Sequence, residues 1–236
     1  MIPVDNIMTP TQKNTIASLI AIIVHLSGAL GMILGKNADW FVSMTPYNLL
    51  LMLLLVLWTQ QESATSFYAF LFLCAVVGIV SEVIGVNTSL LFGIYQYGNA
   101  LGPGWLGVPF LIGVNWFLVI WSSAQVMLLL HGQLAKLTDW APEVAEKWLA
   151  WSLIIDAALL ATGFDWLMEP VAVKLGYWSW ENGTIPIYNY VCWFAISSLL
   201  LLVFRQLKFR HVNQFAVHLL IIQSLFFFAL RLFYHP

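Results

Sequence analysis

Charge is the first property that this sequence lacks. Only 8% of its 236 residues are Asp, Glu, Lys or Arg, while 61% are hydrophobic, whereas a soluble domain carries about 25% charged residues. This scarcity excludes an ordinary soluble domain and predicts an integral membrane protein. The net charge of -2 and the lack of a long basic cluster predict no nucleic-acid partner.

The motifs that recruit metals and cofactors are also missing. The two cysteines, Cys74 and Cys192, lie in apolar runs and are too few for a zinc cluster, so we interpret them as packing residues. The histidines form no H-x-x-x-H or H-x-x-H-H cluster of the di-iron type. No G-x-G-x-x-G motif follows a strand, and no D-D-x-x-D or G-x-S-x-G motif occurs. We therefore expect no metal and no cofactor, which leaves acid–base chemistry on an apolar substrate.

Apolar stretches predict the fold. A helix needs about 20 residues to cross a bilayer, and seven stretches come near this length, at residues 15–35, 45–60, 66–84, 108–131, 147–169, 187–204 and 213–233. The predicted fold is all-α, a polytopic bundle of about seven transmembrane helices, with Pro170 ending the fifth. No linker divides the chain, so we predict a single integral membrane domain over residues 1–236.

Basic residues predict how the bundle is oriented. If seven helices alternate, one side of the membrane holds Lys13, Lys136, Lys147, Arg205, Lys208 and Arg210, and only three basic residues lie opposite. Cytoplasmic loops are enriched in Lys and Arg. We therefore expect a bacterial or archaeal cytoplasmic membrane protein with its N-terminus in the cytoplasm.

One constellation of residues occurs twice. Each copy has a carboxylate at the end of an apolar run, then Gly-x-aromatic-x-aromatic-x-Asn, then Pro, six residues and Trp-Phe. The copies comprise Glu82, Gly93, Tyr95, Tyr97, Asn99, Pro109 and Trp116, and Asp165, Gly176, Trp178, Trp180, Asn182, Pro186 and Trp193. In both copies, the predicted helix that ends in the carboxylate crosses the membrane in the same direction. We predict a parallel repeat of units at about 66–131 and 147–204, related by an axis along the membrane normal.

The connection at 85–107 is unusually apolar, since it carries no charged residue. We expect a partly buried re-entrant or extended lid, because irregular backbone at membrane depth must be satisfied by other protein. The aromatic residues of both copies fit an interfacial belt that needs no ligand as well as the wall of a binding site. Their repetition with Gly and Asn at fixed offsets favours the wall.

Four acids lie within or at the end of apolar spans, namely Glu82, Asp156, Asp165 and Glu169. A carboxylate inside a membrane helix costs about 2.5–3.5 kcal/mol and predicts a functional site. Asp165 and Glu169 share a helix face, and Glu82 and Asp165 end equivalent helices against the helix dipole. Asp156 projects from roughly the opposite face, where it either takes part in catalysis or pairs with a histidine of the first or last helix.

Several of these motifs occur in an order that is found in a known family. They are Ser81-Glu82-x-x-Gly85, Phe92-Gly93-x-Tyr95-x-Tyr97, Val108-Pro109, Asp165-x-x-x-x-Pro170, Trp178-x-Trp180 and Pro186-x-x-Asn189-Tyr190-x-x-Trp193. Over about residues 65–205 the chain resembles the carotenoid biosynthesis membrane proteins, which include γ-carotene 1′,2′-hydratases and bisanhydrobacterioruberin hydratases. The resemblance implies a cofactor-independent carotenoid 1,2-hydratase, a hydro-lyase. Such an enzyme adds water to the terminal C1–C2 double bond of a lycopene- or γ-carotene-type substrate within membrane lipid.

This chemistry assigns roles to the candidate residues. A neutral carboxylic acid must protonate C2, and apolar burial or a like-charged neighbour favours that form. A base must then take a proton from the water that attacks the tertiary cation at C1. We expect Asp165 and Glu82 to divide these roles, with Glu169 and Asp156 as further catalytic candidates. The substrate-binding candidates are rings that can stabilise a cation and asparagines that can orient water, namely Tyr95, Tyr97, Trp116, Trp178, Trp180, Trp193, Asn99, Asn182 and Asn189.

Two rival functions stay open at this point. A membrane carotenoid cyclase of the lycopene type starts with the same protonation but closes a ring on the cation. A proton-coupled transporter of an apolar solute would also place acids between repeats. Transporter sites lie near the bilayer midplane, however, whereas these acids lie near one mouth of the bundle.

Overall fold

The computed structural model of the protein describes residues 8–35, 38–62, 64–137, 142–209 and 211–234. The helices in these ranges are α1 (Pro10–Leu34), α2 (Ala38–Ser43), α3 (Thr45–Thr59), α4 (Ala64–Thr88), α5 (Leu111–Leu137), α6 (Pro142–Lys174), α7 (Ile187–Gln206) and α8 (Gln214–Tyr234). The strands are β1 (Tyr95–Tyr97), β2 (Gly104–Trp105), β3 (Val108–Pro109) and β4 (Trp178–Trp180). The predicted all-α polytopic bundle is confirmed.

Most of the helices are long enough to cross a membrane. Within the described residues, six are sufficiently long and apolar, namely α1, α4, α5, α6, α7 and α8. Helix α3 is apolar but has only 15 residues, fewer than the ~20 that span a bilayer. The protein is therefore an integral membrane protein, and the expected number of seven is reached only if α3 also crosses.

Helix α5 lies at the centre of the bundle. It packs against α3, α4, α6, α7 and α8, and every side chain from Trp116 to Ala124 is almost completely buried. A helix that is apolar around its whole circumference is stable in such a position because it has no solvated face to present. The outer helices instead expose apolar side chains to the lipid, such as Ile23 of α1 and Leu199 of α7. Functional groups on α5 therefore point into the protein interior.

The prediction that Pro170 ends a helix is wrong, because α6 continues through it to Lys174. Proline has no N–H to bond the carbonyl group four residues earlier, which belongs to Trp166. That carbonyl oxygen instead accepts a hydrogen bond of 3.0 Å from Arg231 Nη1 of α8. The Arg231 guanidinium also lies 3.9 Å from the centroid of the Trp166 ring. Membrane helices tolerate proline where a neighbour satisfies the freed backbone group in this way.

The two aromatic motifs meet in an antiparallel ribbon. Strands β1 and β4 pair with Tyr95 opposite Trp180 and Tyr97 opposite Trp178. The glycine that precedes each strand, Gly93 or Gly176, has a positive φ of 125° or 74°, which glycine adopts without steric cost. Antiparallel pairing of two equivalent segments is the arrangement that a local two-fold axis produces. The ribbon brings together motifs that lie about 80 residues apart in the sequence.

Candidate active site

Three of the four membrane acids face one small cavity between the two motif copies. Glu82 of α4 and Asp165 and Glu169 of α6 line a volume of about 20 Å³, which is room for roughly one water molecule. Their exposed fractions are only 5%, 1% and 3%, and no described residue that lines the cavity is basic. We call this space the acid cavity.

Glu82 is held by the aromatic residues of its own motif copy. Its Oε2 accepts hydrogen bonds from the hydroxyl groups of Tyr95 and Tyr97, the latter at 2.8 Å. Its Oε1 accepts one from Trp116 Nε1 at 3.1 Å. A carboxyl group that accepts at both oxygens has the hydrogen bonding of an ionised carboxylate. The three donors fix the orientation of the Glu82 side chain and favour its ionised form.

The two tyrosines remain donors at physiological pH. Burial, and after it the neighbouring Glu82 carboxylate, raises the pKa of the Tyr95 hydroxyl above its ordinary value. The same two causes raise the pKa of the Tyr97 hydroxyl. Because both phenols keep their protons near neutral pH, both can donate hydrogen bonds to Glu82 there.

Glu169 is held in the same manner by the second motif copy. Its Oε2 accepts hydrogen bonds from the indole N–H groups of Trp178 and Trp180, each at 2.9 Å. Its Oε1 lies 3.5 Å from Asn189 Nδ2 of α7. Each copy thus directs two aromatic donors from its strand onto one carboxyl group.

Asp165 has a different environment. Among the described residues it accepts a single hydrogen bond, of 2.8 Å, from Asn189 Nδ2 to its Oδ2. Its Oδ1 is free to carry a proton. The Asp165 carboxyl lies next to the Glu169 carboxyl, since the same Asn189 amide donates to both. Burial beside a second carboxyl group, with only one donor, favours the protonated form of Asp165.

The tryptophans of the two Trp-Phe pairs stack on each other. The ring centroids of Trp116 and Trp193 are 3.8 Å apart and their planes are inclined by 6°. Both rings are almost fully buried and line the acid cavity. This stack lies where equivalent residues of α5 and α7 meet, and it forms a flat aromatic wall beside the three acids.

The remaining candidates lie elsewhere. Asn99 lies on the surface by a groove that α2 and α3 form with the loop before α5. Asn182 lies in a short 3₁₀ turn, Glu181–Gly183, with φ 60°. Neither lines the acid cavity. Both asparagines therefore have the position of turn residues, which tolerate left-handed backbone well.

Asp156 also lies outside the acid cavity. The expected pairing with a histidine of α1 or α8 is wrong. Asp156 accepts a hydrogen bond from Ser152 of its own helix, and Ser152 Oγ lies 3.1 Å from Nε2 of His131 on α5. His25 instead bonds the Ala21 carbonyl oxygen, and His218 bonds Ser18. The histidine that approaches Asp156, through Ser152, is therefore His131 of α5 rather than His25 of α1 or His218 of α8.

Sequence reasoning missed Asn115, which lines the acid cavity from α5. It precedes Trp116 as Cys192 precedes Trp193. The Cys192 thiol accepts a hydrogen bond from the Phe92 N–H at 3.3 Å, whereas the Asn115 amide has no hydrogen-bond partner within the described residues. A polar residue next to a repeated tryptophan was the available signal.

A second, larger cavity adjoins the first. It measures about 390 Å³ and is lined mainly by apolar residues of α1, α2, α3 and α8. Asn115 lines this space as well as the acid cavity, and Phe164, which precedes Asp165, also contributes to its wall. We call it the apolar cavity. Its volume falls within the range of about 300–1,000 Å³ that is usual for small-molecule sites.

Over the part of the chain that the structure describes, no three His, Cys, Asp or Glu side chains form a group that could hold a metal ion.

Known proteins resemble this chain in sequence. The family described as carotenoid biosynthesis protein matches residues 43–234, a range that contains the acid cavity. The bisanhydrobacterioruberin hydratase of Haloarcula japonica is 32% identical over 127 residues, which cover 52% of this chain and 39% of that protein. The match therefore spans less than half of the relative's length. No solved structure matches the chain.

Proposed function

The chain belongs to the carotenoid biosynthesis protein family, and from this membership we propose that it is a hydratase acting on the acyclic end of a carotenoid. It adds water across the terminal C1–C2 double bond without a cofactor. The observation that carries this proposal is the acid cavity, in which three buried carboxyl groups surround space for about one water molecule. The name of the Haloarcula relative supports the same reaction class.

The first step is protonation of the alkene. Asp165 is the donor in this proposal because it has the fewest hydrogen bonds of the three acids and an oxygen free to carry the proton. Its proton is transferred to C2, the π electrons form the new C–H bond, and the positive charge remains on the tertiary C1. The carboxylates of Glu82 and Glu169, fixed by their aromatic donors, stabilise this cation without reorganising. The faces of Trp116 and Trp193 add cation–π stabilisation.

The second step is capture by water. The oxygen of a water molecule bonds to C1, and a carboxylate takes the surplus proton. Glu82 is the base in this proposal, because its Oε1 accepts only the Trp116 N–H among the described residues and keeps a lone pair. Return of that proton from Glu82 to Asp165 restores the starting state. The reaction consumes one alkene and one water, and it gives a tertiary alcohol.

Space for about one water molecule beside the three acids supports hydration over cyclisation, because a cyclase needs no water at the cation. The Haloarcula relative is named a hydratase, which supports hydration over both cyclisation and transport.

Product mass tests the proposal. Membranes that contain the protein are incubated with lycopene in H₂¹⁸O, and the pigments are analysed by mass spectrometry. Hydration gives a product that is heavier by one labelled water for each end group that has reacted. Membranes with Asp165→Asn at equal expression are the control. A cyclic product of unchanged mass would assign the chain to the cyclases.

Orientation and repeat structure belong to the same proposal. With the N-terminus in the cytoplasm, the acid cavity opens toward the outer half of the membrane. Two of the basic residues whose distribution predicts this orientation, Lys36 on one side and Arg210 on the other, lie outside the described residues. A reporter fused after the last helix tests it, since seven crossings would put the two ends of the bundle on opposite sides. The repeat units at about 66–131 and 147–204 are tested by superposing them in an experimental structure.

A further inference from the structure

The acid cavity is too small to receive the substrate alone. At about 20 Å³ it holds water, whereas the reacting end of a carotenoid is a branched hydrocarbon several carbons long. The substrate therefore needs neighbouring space. The apolar cavity, at about 390 Å³, adjoins the acid cavity and shares Asn115 with it.

The apolar cavity opens toward the lipid. Three residues of its rim are more than half exposed, namely Ile23 at 66%, Trp40 at 57% and Tyr47 at 67%. They belong to α1, α2 and α3, so the opening lies between the first helix and the α2–α3 pair. Ile23 belongs to the membrane-spanning helix α1, so this side of the opening faces hydrocarbon. A solute dissolved in the bilayer can therefore reach the cavity from the side without crossing water.

Asn115 has an unused hydrogen-bonding group at the junction of the two cavities. Its side-chain amide, which has two donors and one acceptor, has no hydrogen-bond partner among the described residues. Asn115 is half-buried, so a water molecule can reach its amide. The group is well placed to bind a water molecule between the carboxyl cluster and an apolar ligand.

We propose that the apolar cavity binds the end of an acyclic isoprenoid polyene that enters from the lipid, and that Asn115 holds the water that attacks it. The inference rests on the proposed hydratase function for the nature of the ligand. It adds the entry route, the binding site and the residue that binds the water. The reacting double bond lies at Asn115, with Asp165 on one side and the body of the chain in the cavity.

Filling the cavity tests the binding site. Gly28 of α1 lines it, and a Cβ added there would meet Phe226 Cε2 at 3.5 Å, an ordinary contact. Gly28→Leu therefore places its remaining atoms in the cavity. Gly163→Leu is the matched control, because an added Cβ at this exposed α6 position meets nothing within 4 Å. Ser27→Phe, at the exposed rim of the same cavity, is a second filling variant that needs no change in the packed interior.

Binding is measured separately from turnover. Each variant is made in an Asp165→Asn background, and lycopene binding in detergent is followed by quenching of tryptophan fluorescence. We expect Gly28→Leu and Ser27→Phe to weaken binding at least tenfold and Gly163→Leu to leave it unchanged. Equal binding by all three would overturn the assignment of the cavity. Intact binding by the wild type with no hydration would overturn the proposed function and leave the cavity assignment standing.

Deuterium exchange tests the role of Asn115. In D₂O, protonation at C2 followed by loss of a proton from C2 returns the alkene with deuterium at that carbon, without hydration. We expect Asn115→Leu to lower hydration at least tenfold while deuterium still enters C2. Asn115→Gln, which keeps the amide, should restore part of the hydration. A proportional loss of exchange and hydration in Asn115→Leu would show that the residue does not act on the water.

Discussion

The two motif copies share one scaffold and differ in chemistry. In each copy, two aromatic donors of a strand hold a carboxyl group, and a buried tryptophan of the following helix stacks across the boundary. Two of the positions at which the copies diverge lie one helical turn from the repeated acid and the repeated tryptophan. Val86 and Ile112 of the first correspond to Glu169 and Asn189 of the second, four residues after the repeated acid and four before the repeated tryptophan. An apolar pair is replaced by a hydrogen-bonded polar pair.

Because of this divergence, the residues that are equivalent by their position in the sequence are not the ones that are equivalent by their hydrogen bonds. Spacing along the chain aligns Glu82 with Asp165, but the hydrogen bonds align Glu82 with Glu169, since each of these accepts from its own strand. Asp165 is left as the acid without a matching donor pair. Glu82 and Glu169 thus each accept two aromatic donors, whereas Asp165, with one amide donor, is the acid to which we assign the exchangeable proton.

The largest expected effect comes from removing that exchangeable proton. Asp165→Asn keeps the size and polarity of the side chain but cannot protonate C2, so we expect hydration to fall by about 10²–10⁴-fold. Asp156→Asn is the control on the same helix, and its turnover should stay near that of the wild type because Asp156 contacts Ser152 rather than the acid cavity. Initial rates with purified protein in liposomes measure both. A normal rate for Asp165→Asn would move the donor role to another acid.

Amide substitutions of Glu82 and Glu169 should lower the hydration rate less than Asp165→Asn does. Glu82→Gln removes the proposed base, and we expect a loss near 10²-fold, the low end for a positioned acid or base. Glu169→Gln removes only a stabilising charge, so its loss should be smaller, about tenfold. The same liposome assay ranks them. A greater loss for Glu169→Gln would exchange the roles of the two glutamates.

A double-mutant cycle tests whether the polar pair of the second copy acts as a unit. Glu169→Val and Asn189→Ile give the second copy the residues that the first copy carries. Each single variant already removes the contact between Asn189 Nδ2 and Glu169 Oε1, so the double variant should be less unstable than the sum of the two. Groups in direct contact typically show coupling of about 0.5–3 kcal/mol. Unfolding in detergent measures it, and strictly additive effects would contradict the pairing.

The smallest effect is expected at the motif asparagines. Asn182 has a φ of 60°, so Asn182→Ala should lower the free energy of unfolding by about 1 kcal/mol, because alanine is disfavoured in left-handed backbone. Asn182→Gly should restore it. Neither variant should change the hydration rate. A loss of rate that glycine does not rescue would return Asn182 to the substrate-binding residues.

Local patterns in the sequence were sufficient for the fold class. Apolar length predicted the helices, and the helical spacing of Asp165 and Glu169 predicted their shared face. The pairing of β1 with β4 was not predictable, because a contact between segments about 80 residues apart leaves no local pattern. For the same reason, the aromatic residues were interpreted as a substrate wall, although their N–H and O–H groups bond the acids.

Predictions from one residue alone were wrong where a residue distant in the sequence supplies a missing hydrogen bond. Pro170 is a helix-ending signal when it is considered alone, but Arg231 supplies the missing donor from α8. Asn115 lacked any motif of its own, so only its position between two cavities identified it. The catalytic and substrate-binding roles of the candidate residues stay predictions, which the variants above test.

The hydrogen bond from Arg231 to the Trp166 carbonyl also bears on the order of events during synthesis. The acid-bearing turn of α6 lies between that carbonyl and Pro170, and its backbone is completed by a side chain near the end of the last described helix. Ribosomes make α6 well before α8. The Trp166 carbonyl therefore lacks this donor until α8 has been made and has packed against α6.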